Sequence, residues 1–391
     1  MTDFTAAFDR GVERRGTGSY KWDSEPGLLP LWVADMDFAT APAIIDALHH
    51  RVDMGAFGYT LVGEDYYRAV KDWFGRRHGW AIERDSIMYT SGVVPALSAI
   101  IKALTAPGDK VIVQTPVYNC FFSSIRNNGC EILANPLRYT GDSYEMDFDD
   151  LAAKVADPAA KVLLLCNPGN PVGRVWTRDE LTTLARLCHD NGVVVVSDEI
   201  HCELVYPGYC YTPYGTLPRE FVEQSVTCVS PSKAFNTAGL QIASIITPNA
   251  DFRRRIDRAI NINEVCDVNP FGVVGTIAAY NEGEEWLEQL IAYLKGNYDM
   301  MADFCRSRLP QLPICRLEGT YLVWMNVAAL GMTGEELEKR LIDEQSLWLN
   351  AGEMYGDDHF IRWNIACPRT RLAEALGRFE KFVLWNDETE I

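Results

Sequence analysis

Positive charge is scarce in this chain: 36 Lys and Arg face 54 Asp and Glu, a formal net charge of −18 with histidine neutral. That balance repels phosphate backbones and anionic lipid. A nucleic-acid or membrane-surface partner would need a concentrated basic patch, and the sequence displays none. No apolar run approaches the length of a spanning helix, and the opening MTDFTAAFDRGVERRG is polar, so neither a signal peptide nor a membrane anchor is read. Paired-cysteine motifs are missing as well. The eleven cysteines are scattered without a CxxC, and an odd number cannot all pair within one chain. Cys166 in KVLLLC and Cys228 in SVTCVS sit in apolar runs, where a free thiol behaves as a small buried hydrophobe. A reducing cytoplasm is therefore expected rather than secretion. Metal chemistry has no vehicle: the six histidines include the adjacent pair His49 and His50, but there is no HExxH and no His-Cys cluster at ligand spacing. Gly/Ser linkers, low-complexity tracts and internal repeats are absent.

What is present is a globular composition. Of 391 residues, 48% are hydrophobic, 23% charged and 11% aromatic, enough for two or three domains, or one large domain with an appendage, and for a sizeable core. From about residue 85 to 250, short β-branched runs (SIMYTSG, DKVIVQTP, CEILANPL, AKVLLLCNP, VVVVSDE, SVTCVSPS, LQIASIITP) alternate with helix-sized amphipathic stretches. Runs apolar on both faces and separated by helices predict an α/β domain with a mainly parallel sheet, whose ligands belong at the carboxyl ends of the strands. After Pro248 come long helical stretches, DFRRRIDRAININ and a longer one with a break near Asn281 to Glu284. A small α+β unit follows: GTYLVWMNV and FIRWNIACP read as strands, GEELEKRLIDEQ and RTRLAEALGRFEKFVLW as helices. The first 48 residues show no sheet of their own and are expected to pack on that unit. The expected division is a large domain over 49–284 and a discontinuous small domain formed by 1–48 and 285–391.

Four motifs in order, each at the end of an expected strand, carry the chemistry: TSG at 90–92, NPGNPVG at 167–173, SDEIH at 197–201 and SPSKAFN at 230–236. This order resembles the fold-type I enzymes that use pyridoxal 5′-phosphate (PLP), the large aminotransferase family, and the resemblance spans nearly the whole chain. RRGTGSYKWD, LPLWVADMDF, FGYT at 57–60, KAFN, GTYLVW and IRWNIACPR narrow it to the cystathionine β-lyase (MalY/PatB) branch of carbon–sulfur lyases. ADMDF together with SDEIH is the more specific part.

The resemblance assigns roles, and each makes physical sense. Lys233 lies just beyond the run SVTCVS in a turn, and a lysine held out of bulk water has the lowered pKa that suits Schiff-base formation. Asp198 ends VVVVS, where a charge is costly unless paired; in the family this carboxylate faces the pyridine nitrogen. Asn170 matches the asparagine that hydrogen-bonds the ring oxygen. The commonest pattern puts a tyrosine three residues after the aspartate, whereas this chain has His201. It is either a donor to the same oxygen, with a titration intruding near neutral pH, or a histidine that supports the site from behind. The turn Ser91-Gly92-Val93-Val94 leads into a helix, so its N–H groups and the helix dipole suit the phosphate, and Ser230 and Ser232 match the phosphate hydroxyls. Where many aminotransferases carry an arginine eight residues after the lysine, Gln241 stands here. The compensating donor implied is Tyr59, reaching in from the neighbouring subunit of a homodimer. Tyr118, in QTPVYNC, matches the ring stacked on the cofactor, its hydroxyl within reach of the leaving group. Arg362 matches the clamp on the substrate α-carboxylate, and Arg369 is assigned to structure.

The resemblance thus implies a PLP-dependent β-lyase that cleaves L-cystathionine or related S-substituted cysteines to a thiol, pyruvate and ammonia, with Tyr118 or the freed Lys233 as the acid near sulfur. No metal, nucleic acid or membrane takes part. An aminotransferase is the alternative within enzymes, and a PLP-binding regulatory or interaction protein the alternative outside catalysis. Gln241 and ADMDF favour the lyase; intact Lys233, Asp198 and Arg362 argue against the regulator.

Overall fold

A computed structural model describes residues 2–262 and 267–389. Its centre is a sheet of seven strands: β1 (Ile87–Thr90), β2 (Lys110–Val113), β3 (Glu131–Ala134), β4 (Ala160–Cys166), β5 (Val194–Asp198), β6 (Ser225–Val229) and β7 (Ala243–Ile246). They lie in the order β1-β7-β6-β5-β4-β2-β3, and β7 alone runs antiparallel to its neighbours. The expected mainly parallel sheet is thus observed. Strand alternation explains why its strands read as continuous apolar runs: Val162 and Leu164 of β4 join one core cluster, and Leu163 and Leu165 join the one on the opposite face.

Helices Val93–Leu104 and Ala250–Asn261 cover the first face and helix Arg178–Asp190 the second. The capping box of Thr177 and Glu180 sets the start of that third helix. Residue 263, the end of the expected stretch DFRRRIDRAININ, lies outside the described residues. The expected break near 281–284 is the junction at Gly283 between helices Pro270–Glu282 and Glu284–Arg308.

The C-terminal unit carries a three-stranded antiparallel sheet, β8 (Leu322–Asn326), β9 (Asn350–Ala351) and β10 (Phe360–Asn364), with β10 in the middle. Helices Gly334–Gln345 and Arg369–Thr389 flank it. The N-terminal segment packs there. Leu29–Pro30 pairs in parallel with Leu347–Trp348, and Phe8 meets Phe38, Trp286 and Tyr293 at ring distances of 5.1, 5.7 and 5.3 Å. Helix Pro42–Asp53, however, runs through the expected boundary at 48/49 and packs against helix Pro270–Glu282. Among the described residues the cysteines are free, and only Cys210 is exposed. No helix among them is long and apolar enough to cross a membrane, and no group of His, Cys, Asp and Glu forms a metal site.

Candidate active site

Four expected motifs converge at the carboxyl ends of the central strands, around a cleft of about 210 Å³. Its walls include Ser91, Gly92, Val93 and Val94 after β1, Asn170 after β4, Asp198 and His201 at the end of β5, and Ser232 and Lys233 after β6. Tyr118, Gln241 and Ala34 complete it. Because parallel strands all point their carboxyl ends the same way, short loops separated by long stretches of chain meet at one edge.

Lys233 sits in the turn after β6, and its Nζ donates to the Ala34 carbonyl at 2.6 Å. Burial, reinforced by the Arg362 guanidinium, lowers its pKa to about 8, against the opposing pull of Asp35 and Asp198. A lysine with that pKa is in part a free amine near neutral pH and so is nucleophilic. Asp198 is only 4% exposed and accepts from the Ile200 N–H at 3.1 Å. Burial raises its pKa to about 7, although the Ile200 N–H and Lys233 pull it down. A cationic partner set against this carboxylate would restore its charge.

Of the two readings of His201, the donor that titrates near neutrality is corrected in its titration: burial, then the like charges of Lys233 and Arg362, push its pKa well below the ordinary value, so the imidazole stays neutral. Its Nδ1 is buried without a hydrogen-bond partner. Such an atom is costly to leave unpaired and marks a place where a polar ligand atom fits.

Arg362, in the middle of β10, is 3% exposed. Its Nη1 donates to Asn170 Oδ1 at 3.2 Å and its Nη2 to the Trp32 carbonyl at 2.8 Å, and it stacks on Tyr355 at 4.7 Å. Its Nε is buried and unpaired, so the fork keeps donor capacity for an anion. At the other end, helix Val93–Leu104 begins directly after Gly92, and its first N–H groups have no partner within the helix. Ser230 Oγ donates to the Ile242 carbonyl at 2.7 Å and contacts Ser232 Oγ at 3.0 Å, so Ser232 is the hydroxyl that lines the cleft. Tyr118 stands before helix Asn119–Asn127, and burial pushes its phenol well above the ordinary range, which keeps the proton on it.

The single chain does not bring Tyr59 to the cleft: it is 99% exposed, in a segment where Met54, Phe57 and Leu61 are exposed too. Arg369 stacks on Tyr293 at 4.4 Å, away from the cleft walls. The site also holds groups to which the motifs alone gave no role. The Trp32 and Ala34 carbonyls, Tyr321 and Tyr355 touch Lys233 or Arg362 directly or through a shared carbonyl. ADMDF marked that strip of sequence, but a backbone acceptor has no side chain to announce it.

The matching family model is "Aminotransferase class I and II", over residues 27–379. The chain belongs to this family. Within the family it is 41% identical over 381 residues to the cystathionine beta-lyase PatB of Bacillus subtilis (strain 168), spanning 95% of this chain and 98% of that protein. It is 33% identical over 380 residues to the protein MalY of Escherichia coli (strain K12), spanning 95% and 97% of the two chains. Among solved structures, cystalysin from Treponema denticola, which contains a pyridoxal 5′-phosphate cofactor, superposes with a TM-score of 0.94 at 34% identity over 99% of each chain. The expected family and fold, fold-type I α/β, therefore hold.

Proposed function

We propose that the protein is a PLP-dependent carbon–sulfur β-lyase that cleaves L-cystathionine or related S-substituted cysteines to a thiol, pyruvate and ammonia. The observation that carries this reading is the pairing of Lys233, its pKa lowered to about 8, with the buried carboxyl of Asp198 in one cleft, while the fork of Arg362, its Nε unpaired, bonds Asn170 on the cleft wall. The residues fit PLP. The N-terminus of helix Val93–Leu104, Ser91 and Ser232 would hold the phosphate, with Ser230 bracing Ser232. Tyr118 would cover the ring, Asp198 would face its nitrogen, and Asn170 and the unpaired Nδ1 of His201, both on the cleft wall, would partner its oxygen. When bound, PLP supplies an electron sink for the pair released when a bond at Cα breaks.

The chain's own groups do the rest. Arg362 binds the α-carboxylate and fixes Cα relative to Lys233, where orientation is worth orders of magnitude in rate. The amine of Lys233 removes the Cα proton, and the protonated Tyr118 hydroxyl or the newly protonated Lys233 delivers one to the departing sulfur. Asp198, recharged by a cationic partner, stabilises charge that develops beside it.

Tyr59 completes the phosphate site of a second copy in this reading. Its full exposure within an apolar strip, and Gln241 in place of an arginine on the cleft wall, support a homodimer with composite sites. Free, mostly buried thiols support a cytoplasmic setting. A small domain built from both chain ends is supported by the contacts of Phe8 and Leu29, with the first boundary moved ahead of helix Pro42–Asp53.

An aminotransferase would use the same lysine, aspartate and arginine, so the deciding experiment compares substrates. Purified protein given cystathionine without a keto acid should release pyruvate over many turnovers. A strict requirement for a keto acid, with amino transfer to it outpacing pyruvate release, would replace the lyase by the transaminase.

A further inference from the structure

Residues 32–38 cross the cleft between the lysine turn and β10 without joining a sheet, so their carbonyls must find other donors. Side chains supply most of them, beside the backbone N–H groups of Asp35 and Val12, which donate to the Val33 and Asp37 carbonyls. Arg362 and Asn350 donate to Trp32, Lys233 and Tyr321 to Ala34, Arg14 and Asn236 to Met36, and Asn236 to Phe38. The carboxamide of Asn364 donates to both Val33 and Asp35, the carbonyls on either side of Ala34. Charge anchors the strip from behind: half-buried Asp35 meets Arg14 at 2.7 Å, and buried Asp37 meets Lys21 at 3.1 Å and Arg371 at 2.9 Å. Asn364 lies two residues after Arg362 on β10 and is fully buried.

We propose that Asn364 is a positioning residue for Lys233: by clamping the carbonyls that flank Ala34, it presents the Ala34 carbonyl as the dock for the free ε-amine. One donor pair on β10 thereby ties the placement of the amine to that of Arg362, the two groups whose separation fixes Cα against its base. The proposal rests on reading Lys233 as the reacting amine. The groups facing that amine are Arg362, Asp35, Asp198 and Cys120, with neutral His201 nearby and Tyr321 sharing the Ala34 carbonyl.

The test uses cofactor-free full-length protein and reads the amine itself. Acetic anhydride labelling of Lys233 across pH, quantified by mass spectrometry on the peptide carrying residues 230–236, gives its titration midpoint. An acceptor held at the ammonium favours the charged form, so loosening it should lower the midpoint. Asn364→Ala should lower it by about one unit. Tyr321→Phe, an isosteric change that leaves the Ala34 carbonyl to Lys233 alone, should raise it by about half a unit. A midpoint unmoved in folded Asn364→Ala overturns the proposal. Should that variant fail to fold, Tyr321→Phe decides: an upward shift supports the dock and an unchanged midpoint overturns it. A wild-type midpoint at the ordinary lysine value would instead overturn the reading of Lys233 as the reacting amine, a failure distinct from that of Asn364.

Discussion

Removing the charge from Asp198 should make the cofactor-free protein more stable while destroying its activity. The carboxyl is raised from 3.8 to about 7 because burial penalises the anion and its one hydrogen bond, from the Ile200 N–H, only partly offsets that. Between those two values the folded state holds a proton that the unfolded state has lost. Stability is therefore full below pH 3.8 and declines as pH rises through 7. A gap of about three units at 1.36 kcal/mol each amounts to about 4 kcal/mol at pH 8. Water entry into the site reduces the expected gain of Asp198→Asn to about 2 kcal/mol; the pull of Lys233 is already contained in the value of about 7. Asparagine still accepts from Ile200. Glu199, also raised to about 7 by burial, contributes the same slope to both proteins and cancels in the difference, which reports residue 198 together with its coupling to Lys233. Urea unfolding of the cofactor-free proteins at pH 5 and pH 8 measures this: the variant should lead at pH 8 and the lead should shrink at pH 5. PLP should then stabilise the wild type more than the variant, because only the carboxylate gains a cationic partner. Equal stability at pH 8, or a lead independent of pH, would refute the electrostatic account of Asp198.

Borohydride reduction of the cofactor-loaded protein should fix the cofactor to the peptide carrying Ser230 to Asn236, and attachment elsewhere would remove Lys233 from its role. With cofactor bound, Asp198→Asn should lower turnover at least ~100-fold with a smaller change in cofactor affinity, since the lost stabilisation is realised mainly in the transition state; steady-state kinetics beside a PLP titration separate the two. Tyr59→Ala and Lys233→Ala, each inactive, should restore activity when mixed and allowed to exchange subunits; exchange without recovery would put both residues in one chain's site. Arg362→Ala should raise KM for cystathionine by roughly 10²-fold, the value of a lost charged hydrogen-bond pair, while the absorbance of the bound cofactor stays near that of the wild type.

The sheet was legible because each of its strands is a short apolar run between helix-sized segments, a pattern with few other solutions. The site was legible wherever chemistry needs a particular side chain in a motif: Lys233, Asp198 and Asn170 stand at or just beyond strand ends and line the cleft, and Arg362, in the middle of β10, bonds Asn170 on its wall. Two kinds of feature escaped. The neutrality of His201 depends on burial and on Lys233 and Arg362, residues 32 and 161 positions away, so the reference titration of histidine was the wrong guide. The strip 32–38 acts through its backbone, and nothing in the sequence distinguishes the asparagines that hold it, Asn236 and Asn364, whose carboxamides converge on its carbonyls only in the folded chain.

The departures from the commoner aminotransferase pattern fit a single charge argument. Lys233 and Arg362 already place two cations by the cleft, and their joint effect on His201 and on each other is repulsive. A protonated histidine would add a third cation beside them, and burial with no partner at Nδ1 prevents it. An arginine at position 241, which lines the same cleft, would add another; glutamine keeps a hydrogen-bonding side chain without the charge. In the proposed reading phosphate affinity comes from the N-terminus of helix Val93–Leu104, worth about half a charge, and from hydroxyls. Donors of that kind hold an anion while depressing the pKa of Lys233 less than a full cation would, and that pKa, about 8, already leaves part of the amine free near neutrality. Gln241→Arg should accordingly tighten PLP binding while it shifts the pH at which Lys233 loses its proton downward; a tighter cofactor with an unmoved titration would show that position 241 lies too far from the amine for charge there to matter.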